Sequence, residues 1–252
     1  MKLSKRHHQI MELLYSQKYT TVSELVTYLN VSSATIRRDL VSLEKEGFLL
    51  REHGGAKIKD LNHSQSADFE LPIKKKIDIH KQEKINIARY VATILNDGDC
   101  IYLDSGSTPA YIYDYIRHKN ITIVTNNLFL LDKIKEKDKA SVIFGAGTYD
   151  FAHHTLNGTL YLDIIKQFQF SHAFIGCSGF NIENLHCTCT SLQSSSYKNH
   201  AMQQSKQTFL VADASKKEEE GIICFALSSA FTKILTTPFH SEHLPKNVYF
   251  CS

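Results

Sequence analysis

Val31-Ser-Ser-Ala-Thr-Ile-Arg-Arg-Asp-Leu-Val-Ser-Leu-Glu-Lys-Glu46 reads as a short amphipathic helix. Ser32 is placed to cap it by accepting a hydrogen bond from an unpaired backbone N–H. Ser33, Ala34 and Thr35 make a first turn small enough for close approach to base edges. Ile36, Leu40 and Leu43, spaced four and three apart, share one buried stripe. Arg37, Arg38 and Ser42 fall away from that stripe, where guanidinium groups can meet phosphates or guanine edges. Asp39 is expected to pair with a nearby arginine or lysine and fix its direction. The helix is therefore suited to a DNA groove.

Working outward, Ile10, Leu13 and Leu14 mark the face of a first helix, and Val22, Leu25, Val26 and Leu29 that of a second, bracing one. Asn30-Val31-Ser32 forms the tight turn into the quoted helix. Gly47 is expected to end that helix in the left-handed conformation, and Phe48-Leu49-Leu50-Arg51 reads as a strand. Glu52-His53-Gly54-Gly55-Ala56 turns the chain back into a two-stranded wing, from which Arg51 and His53 would touch the DNA backbone. Ser32, Thr35-Ile36-Arg37-Arg38-Asp39-Leu40, Leu43-Glu44, Gly47 and His53-Gly54-Gly55-Ala56 together resemble the N-terminal signature of the DeoR family of bacterial transcription regulators.

Charge agrees with a DNA-binding front end. Of 29 Lys/Arg and 26 Asp/Glu in 252 residues, residues 1–60 hold ten and seven, leaving nineteen of each behind them. The excess positive charge thus belongs to the N-terminal module, as a polyanion footprint requires. His7 and His8 read as surface residues. No stretch is apolar enough to span a membrane and no signal-peptide core follows the N-terminus, which sets the expectation of a cytoplasmic protein. Six cysteines do not make a disulfide framework in such a chain. The Cys187-Thr188-Cys189 spacing is wrong for a zinc hook, so neither metal nor cofactor is expected, and Cys100, Cys177 and Cys224 read as small core residues.

The module is expected over residues 1–58 and a polar linker over 59–80, ending near Pro72 and Lys74-Lys75-Lys76, for which a solvated face is the plain reading and a DNA-backbone contact the other. An α/β domain with a parallel-rich sheet is expected over 81–252. Its first helix buries Ile85, Ile87-Ala88, Val91-Ala92 and Ile94-Leu95. Strands are expected at 100–104, 121–125, 141–144, 172–176, 208–212 and 233–236, and helices at 109–117, 128–135, 159–168 and 192–205.

Asp104-Ser105-Gly106-Ser107-Thr108-Pro109 joins a strand to a helix: glycine permits a sharp turn, and hydroxyls and free N–H groups at the helix mouth favour an anion. An ordinary capped turn is the alternative. By the family resemblance, the C-terminal domain has a sugar-phosphate isomerase-like fold, and this loop looks like the phosphate loop of ribose-5-phosphate isomerases. Further matches are Glu83-Lys84, Asp97-Gly98-Asp99, Thr125-Asn126, Gly145, Gly158, Phe174-Ile175-Gly176 and Asp213-Ala214-Ser215-Lys216. The resemblance implies effector contacts at Asp104, Ser105, Gly106, Ser107, Thr108, Asn126, Asp213 and Lys216. Read plainly, Asn126 is a helix cap and Asp213 with Lys216 a loop brace. The chain departs from the family at Ala146, at Thr148-Tyr149-Asp150-Phe151, where an arginine is usual, and at Ser194-Ser195-Ser196, where an acidic residue is.

The resemblance implies a regulator, and a repressor of carbohydrate metabolism, that binds double-stranded operator DNA as a dimer or tetramer and responds to a phosphorylated sugar. An isomerase would need a base beside the carbonyl, whereas Gly176-Cys177-Ser178-Gly179 carries no carboxylate, so catalysis is not expected. The other alternative is a DNA-binding oligomer whose sensor no longer takes a ligand.

Overall fold

The computed structural model describes residues 5–17, 19–45, 49–52, 54–58, 76–151, 153–241 and 243–252. The chain divides into two compact units, Met1–Ser66 and Ala67–Ser252.

The first unit runs α1 (Lys5–Gln17), β1 (Tyr19–Thr21), α2 (Val22–Leu29), α3 (Ser33–Lys45), β2 (Leu49–Glu52) and β3 (Gly55–Ile58). Ile10 and Leu14 of α1, Leu25 of α2 and the stripe Ile36, Leu40 and Leu43 of α3 close one core with Leu49 and Ala56. Burying each large aliphatic chain is worth about 2 kcal/mol. A capping box opens α2: Thr21 Oγ1 accepts the Glu24 N–H at 3.1 Å, and the Glu24 carboxylate accepts the Thr21 N–H at 2.7 Å. Asn30, with φ 51°, turns the chain left-handed between α2 and α3. The wing is antiparallel, and β1, a strand not anticipated from three residues alone, adds to its other edge in the order β1-β3-β2. The glycine pair makes this possible. Gly54 has φ +83°, and a Cβ on Gly55 would stand 2.3 Å from the Thr20 carbonyl. Gly47 and His53 lie outside the described residues.

The second unit continues α4 (Lys81–Ile94), β4 (Cys100–Leu103), α5 (Ser107–Ile116), β5 (Thr122–Thr125), β6 (Ser141–Phe144), β7 (Thr148–Asp150), β8 (Thr155–Asn157), α6 (Thr159–Gln167) and β9 (Phe170–Ile175). It ends with β10 (Gly179–Phe180), β11 (His186–Cys189), α7 (Leu192–Gln203), β12 (Ser205–Val211), β13 (Ile223–Leu227), β14 (Lys233–Thr236) and β15 (Val248–Phe250). Seven strands form a parallel sheet in the order β15-β14-β12-β9-β4-β5-β6. Residues alternate faces along β4: Ile101 and Leu103 pack with α4 and α5, and Tyr102 packs with α6 and α7. This is an α/β domain with helices on both faces of its sheet. After β4 the chain builds β5 and β6 on one side; β9 then returns to the other side of β4, followed by β12. That reversal puts a crevice at the carboxyl ends of β4 and β9, where ligands bind in such sheets.

Five expectations change. The helix expected over 128–135 is a single 3-10 turn, Leu128–Leu130, followed by turns. Only Leu130 is buried there, Leu131 and Ile134 being exposed, and one anchor cannot sustain a helix through Lys133-Ile-Lys-Glu-Lys137. The turn is capped by Asn127 and not by Asn126. Cys224 is exposed, and Cys100 and Cys177 are only half-buried, whereas Cys187, Cys189 and Cys251 are buried; no disulfide joins any of the six. The small sheet β10-β11-β13, the hairpin β7-β8 and the edge strand β15 were not foreseen. Within the expected linker, residues 76–80 belong to the second unit, and His80 opens α4 with φ 52°.

Candidate DNA interface and candidate effector cavity

Ser32 Oγ accepts the Thr35 N–H at 3.3 Å and lies 2.9 Å from the Thr35 hydroxyl, closing the start of α3. Ser33, Ala34, Arg37 and Arg38 are exposed and Thr35 is half-buried. Asp39 is turned from this surface and buried: its carboxylate accepts both Arg6 Nε and, at 3.0 Å, Arg6 Nη2. Burial pushes the Asp39 carboxyl up, but the hydrogen bond and charge of Arg6, with His7, hold it below its ordinary value. His7 is therefore not a plain surface residue. Its Nε2 lies 3.1 Å from Asp39 Oδ1, bracing α1 against α3. Arg51 on β2 is tied back to α3, its N–H reaching Glu44 at 2.9 Å and its guanidinium pairing with the same carboxylate at 3.0 Å. The wing is thereby clamped to α3.

In the second unit the loops after β4, β5, β9 and β12 enclose a cavity of about 230 Å³. Ser105, Gly106, Ser107, Thr108, Asn126, Asp213 and Lys216 line it, as do Lys76 and Lys198. Gly106, at φ 123°, precedes α5 with no side-chain cap, so the first backbone N–H groups of the helix stay open. Asn127 fixes this loop by donating to the carbonyls of Gly106 at 2.9 Å and Asp104 at 3.3 Å.

Asp104 stands behind the cavity wall. It is 2% exposed and forms a buried ion pair with Lys198, and it also accepts the Gly176 N–H at 2.9 Å and the Tyr102 hydroxyl at 3.3 Å. Lys198 Nζ donates to the Gly176 carbonyl at 3.0 Å as well. Burial pushes the Lys198 ammonium down, but the charge and hydrogen bond of Asp104 outweigh it and hold the pKa above its ordinary value. Asp104 thus keeps a cation at the crevice between β4 and β9. Lys216 is likewise lowered by burial and raised, on balance, by Glu219, which it meets at 2.6 Å, and by Asp213.

Asp213 caps the 3-10 turn Ala214–Glu218 through Ser215. It also forms a cluster with His80 and Glu83, their ligand atoms lying within 4.8 Å of one another. These groups are engaged internally. His80 Nδ1 meets Glu83 at 2.9 Å, a bond that raises the histidine and lowers the carboxyl, and the Thr237 hydroxyl donates to Glu83 at 2.7 Å. The start of α4 is so fastened to the loop that carries Lys216.

Sequence reasoning passed over Lys198, Asn127, Asp150, His153 and Asn157, all of which line or brace the cavity. Lys198 had a readable signal: it shares the buried face of α7 with Ser195 and Ala201, where a lysine needs a charge partner. The segment 176–179 has no carboxylate, as its sequence states, but the fold brings Asp150 and Asp213 into the same cavity. Cys177 lines it too, with its thiol pushed well above its ordinary value by burial, so it offers no ready thiolate. No helix among the described residues is long and apolar enough to cross a membrane.

A basic, groove-sized helix in a winged helix-turn-helix and a cavity at the switch point of a parallel sheet define a DNA-binding transcription regulator with a sensor domain. Residues 6–62 match the DeoR-like helix-turn-helix domain and residues 79–237 the DeoR C terminal sensor domain, and the chain belongs to the DeoR family. It is 32% identical over 223 residues to a protein of Bacillus subtilis (strain 168) named as the HTH-type transcriptional regulator FruR, covering 88% of this chain and 86% of that one. It is also 32% identical over 222 residues to the glycerol-3-phosphate regulon repressor of Escherichia coli (strain K12), covering 86% and 83%. Among solved structures, a ribose 5-phosphate isomerase from Methanocaldococcus jannaschii aligns over 55% of each chain at 14% identity with a TM-score of 0.39.

Proposed function

We propose that this regulator is a repressor whose hold on its operator is released by a phosphorylated sugar or polyol bound in the sensor cavity. The observation that carries this reading is the open start of α5. Uncapped N–H groups and the positive end of a helix face a cavity whose wall also holds Lys198 and Lys216, an arrangement that stabilises an oxyanion. The E. coli relative, named for a phosphorylated polyol's regulon, supports both repression and this effector class.

In this reading Ser33, Ala34 and Thr35 approach base edges, Arg37 and Arg38 contact bases and phosphates, and Arg51 and His53 reach the backbone. Ser105, Gly106, Ser107, Thr108 and Lys216 hold the phosphate, with Asn126 and Asp213 beside the sugar. Asp104 acts through Lys198 and not on the ligand directly. The protein works in the cytoplasm as a homo-oligomer, since paired half-sites are read by paired recognition helices. In this reading it is not an enzyme: Asp213 caps its own loop and burial keeps the Cys177 thiol protonated, so neither serves as a base or a nucleophile.

The test is a gel-shift titration of operator DNA, selected by the protein from a random pool, with and without sugar monophosphates. Weakened operator binding by at least one of them is expected, with no turnover of that compound. Operator binding indifferent to every monophosphate would favour a sensor that has lost its ligand, and isomerisation at enzymatic rates would favour catalysis.

A further inference from the structure

The cavity is chemically two-ended. Opposite in character to the donors at the start of α5, the wall supplied by Asn126, Asp150 and Asn157 is a connected run of acceptors. Asp150, which ends β7, meets His153 Nδ1 at 2.8 Å and accepts the His153 backbone N–H at 3.1 Å. Asn157 Nδ2 donates to Asp150 Oδ2 at 3.3 Å, and Asn126 Nδ2 donates to Asn157 Oδ1 at 3.3 Å and to the Leu156 carbonyl at 3.2 Å.

The direction of this run is fixed by its ends. An ionised carboxylate only accepts, so Asn157 must turn its NH2 group toward Asp150 and its oxygen toward Asn126. The Leu156 carbonyl also only accepts, which requires the NH2 group of Asn126 on the same side. The oxygen of Asn126 is therefore an acceptor by necessity. Among the described residues it has no hydrogen-bond donor, although Asn126 is only 2% exposed. A buried acceptor left unmatched in a wall of a ligand cavity calls for a donor from the ligand.

We propose that this wall is a hydroxyl subsite: the effector is a monophosphate whose far end donates O–H groups to Asn126 Oδ1 and to the Asp150 carboxylate, and a second phosphate there is rejected. The proposal rests on reading the cavity as the effector site and adds the chemistry of its far end. A terminal phosphate brings acceptors to acceptors and a dianion to a carboxylate, whereas a sugar hydroxyl satisfies both.

Calorimetric titration of the full-length protein at pH 8, where an ordinary imidazole is neutral, tests it. The probes are inorganic phosphate, glycerol 3-phosphate, ribose 5-phosphate, glucose 6-phosphate, fructose 1-phosphate, fructose 6-phosphate and fructose 1,6-bisphosphate. At least one monophosphate should bind tenfold or more tightly than both inorganic phosphate and the bisphosphate. Asp150→Asn, which keeps an acceptor for Asn157 but removes the charge, should narrow the gap to the bisphosphate at least fivefold. Asn126→Ala should bring the monophosphate down toward inorganic phosphate and leave phosphate itself within twofold. A bisphosphate that binds as tightly as the best monophosphate overturns the subsite while leaving the effector reading standing, as does an unchanged ratio in a folded Asp150→Asn protein. Failure of every probe to bind overturns both.

Discussion

At the start of α3 the Ser32 hydroxyl takes the Thr35 N–H, and at the start of α5 Gly106 has no side chain to take any. The first helix has its backbone donors partly satisfied from within and, in the proposed reading, meets DNA with side chains, Arg37 and Arg38 standing exposed. The second leaves its backbone donors uncapped, in the proposed reading for a ligand, and has its nearby cation in the interior, with Lys198 buried against Asp104. The contrast follows from what each surface binds. A duplex brings many phosphates to an open face, where long flexible cations suffice, whereas one small anion in a cavity needs donors already oriented.

Replacing Arg37 and Arg38 together by Ala should break the DNA side of this contrast most severely. Each lost base contact costs about 1–3 kcal/mol, and each lost phosphate contact lowers the salt dependence. Gel shifts across a salt series should show affinity falling by two orders of magnitude or more at unchanged melting temperature. Equal affinity would remove α3 from the recognition role.

Next in size is Asp104→Ala, which strands the buried Lys198 ammonium at a cost of about 3–5 kcal/mol. Urea unfolding should show that loss, and adding Lys198→Met should recover most of it. A single variant as stable as wild type would mean that Asp104 does not hold Lys198 in place.

Lys84 sharpens the comparison, because it is a buried cation with no ion pair among the described residues, only the longer-range charges of Asp213 and Asp78. It is 3% exposed, its ammonium donates to the Lys76 carbonyl, and burial pulls its pKa to about 8. The unfolded chain keeps that proton up to about pH 10.4. Between those values the unfolded state binds more protons, so the penalty is complete below about pH 8 and shrinks as pH rises. Lys84→Met should therefore be more stable than wild type by about 1–3 kcal/mol at pH 7, with the gap closing toward pH 10 in denaturant titrations. A gap that is constant with pH would contradict this.

The smallest effects on stability come from the two helix starts themselves. Ser32→Ala should cost about 1 kcal/mol of stability in the first unit. Gly106→Ala places a Cβ in a backbone conformation that L residues rarely adopt, although the space beside Pro109 admits it at 3.5 Å. Monophosphate binding should be lost there while operator affinity without ligand is kept, as gel shift and calorimetry on the same preparation would show.

The sequence was most legible where one element carried its whole argument. The stripe of α3, the Gly54-Gly55 wing and the strands β4, β5 and β14 are read from a few neighbouring residues, the strands because burial on both faces makes them nearly continuous apolar runs. Strands β7, β8, β10 and β11 are two to four residues long and draw their stability from partners elsewhere, so no local pattern marks them. The same division runs through the cavity. Ser105–Thr108 is a local motif at a strand-to-helix junction, whereas the Asp104–Lys198 pair spans 94 positions and the acceptor run from Asn126 to Asp150 joins separate strands. The role given to Asp104 from the motif alone missed the partner that occupies it.

The central claim is that the cavity and the DNA-facing helix share one free-energy balance, and linkage makes that measurable from either side. Calorimetric affinity of the best-binding monophosphate for the free protein, set against its affinity for the operator-bound protein, tests it most directly. The account expects weaker binding to the DNA complex, by the same factor by which the monophosphate weakens operator binding. Equal affinity for the two forms would contradict it.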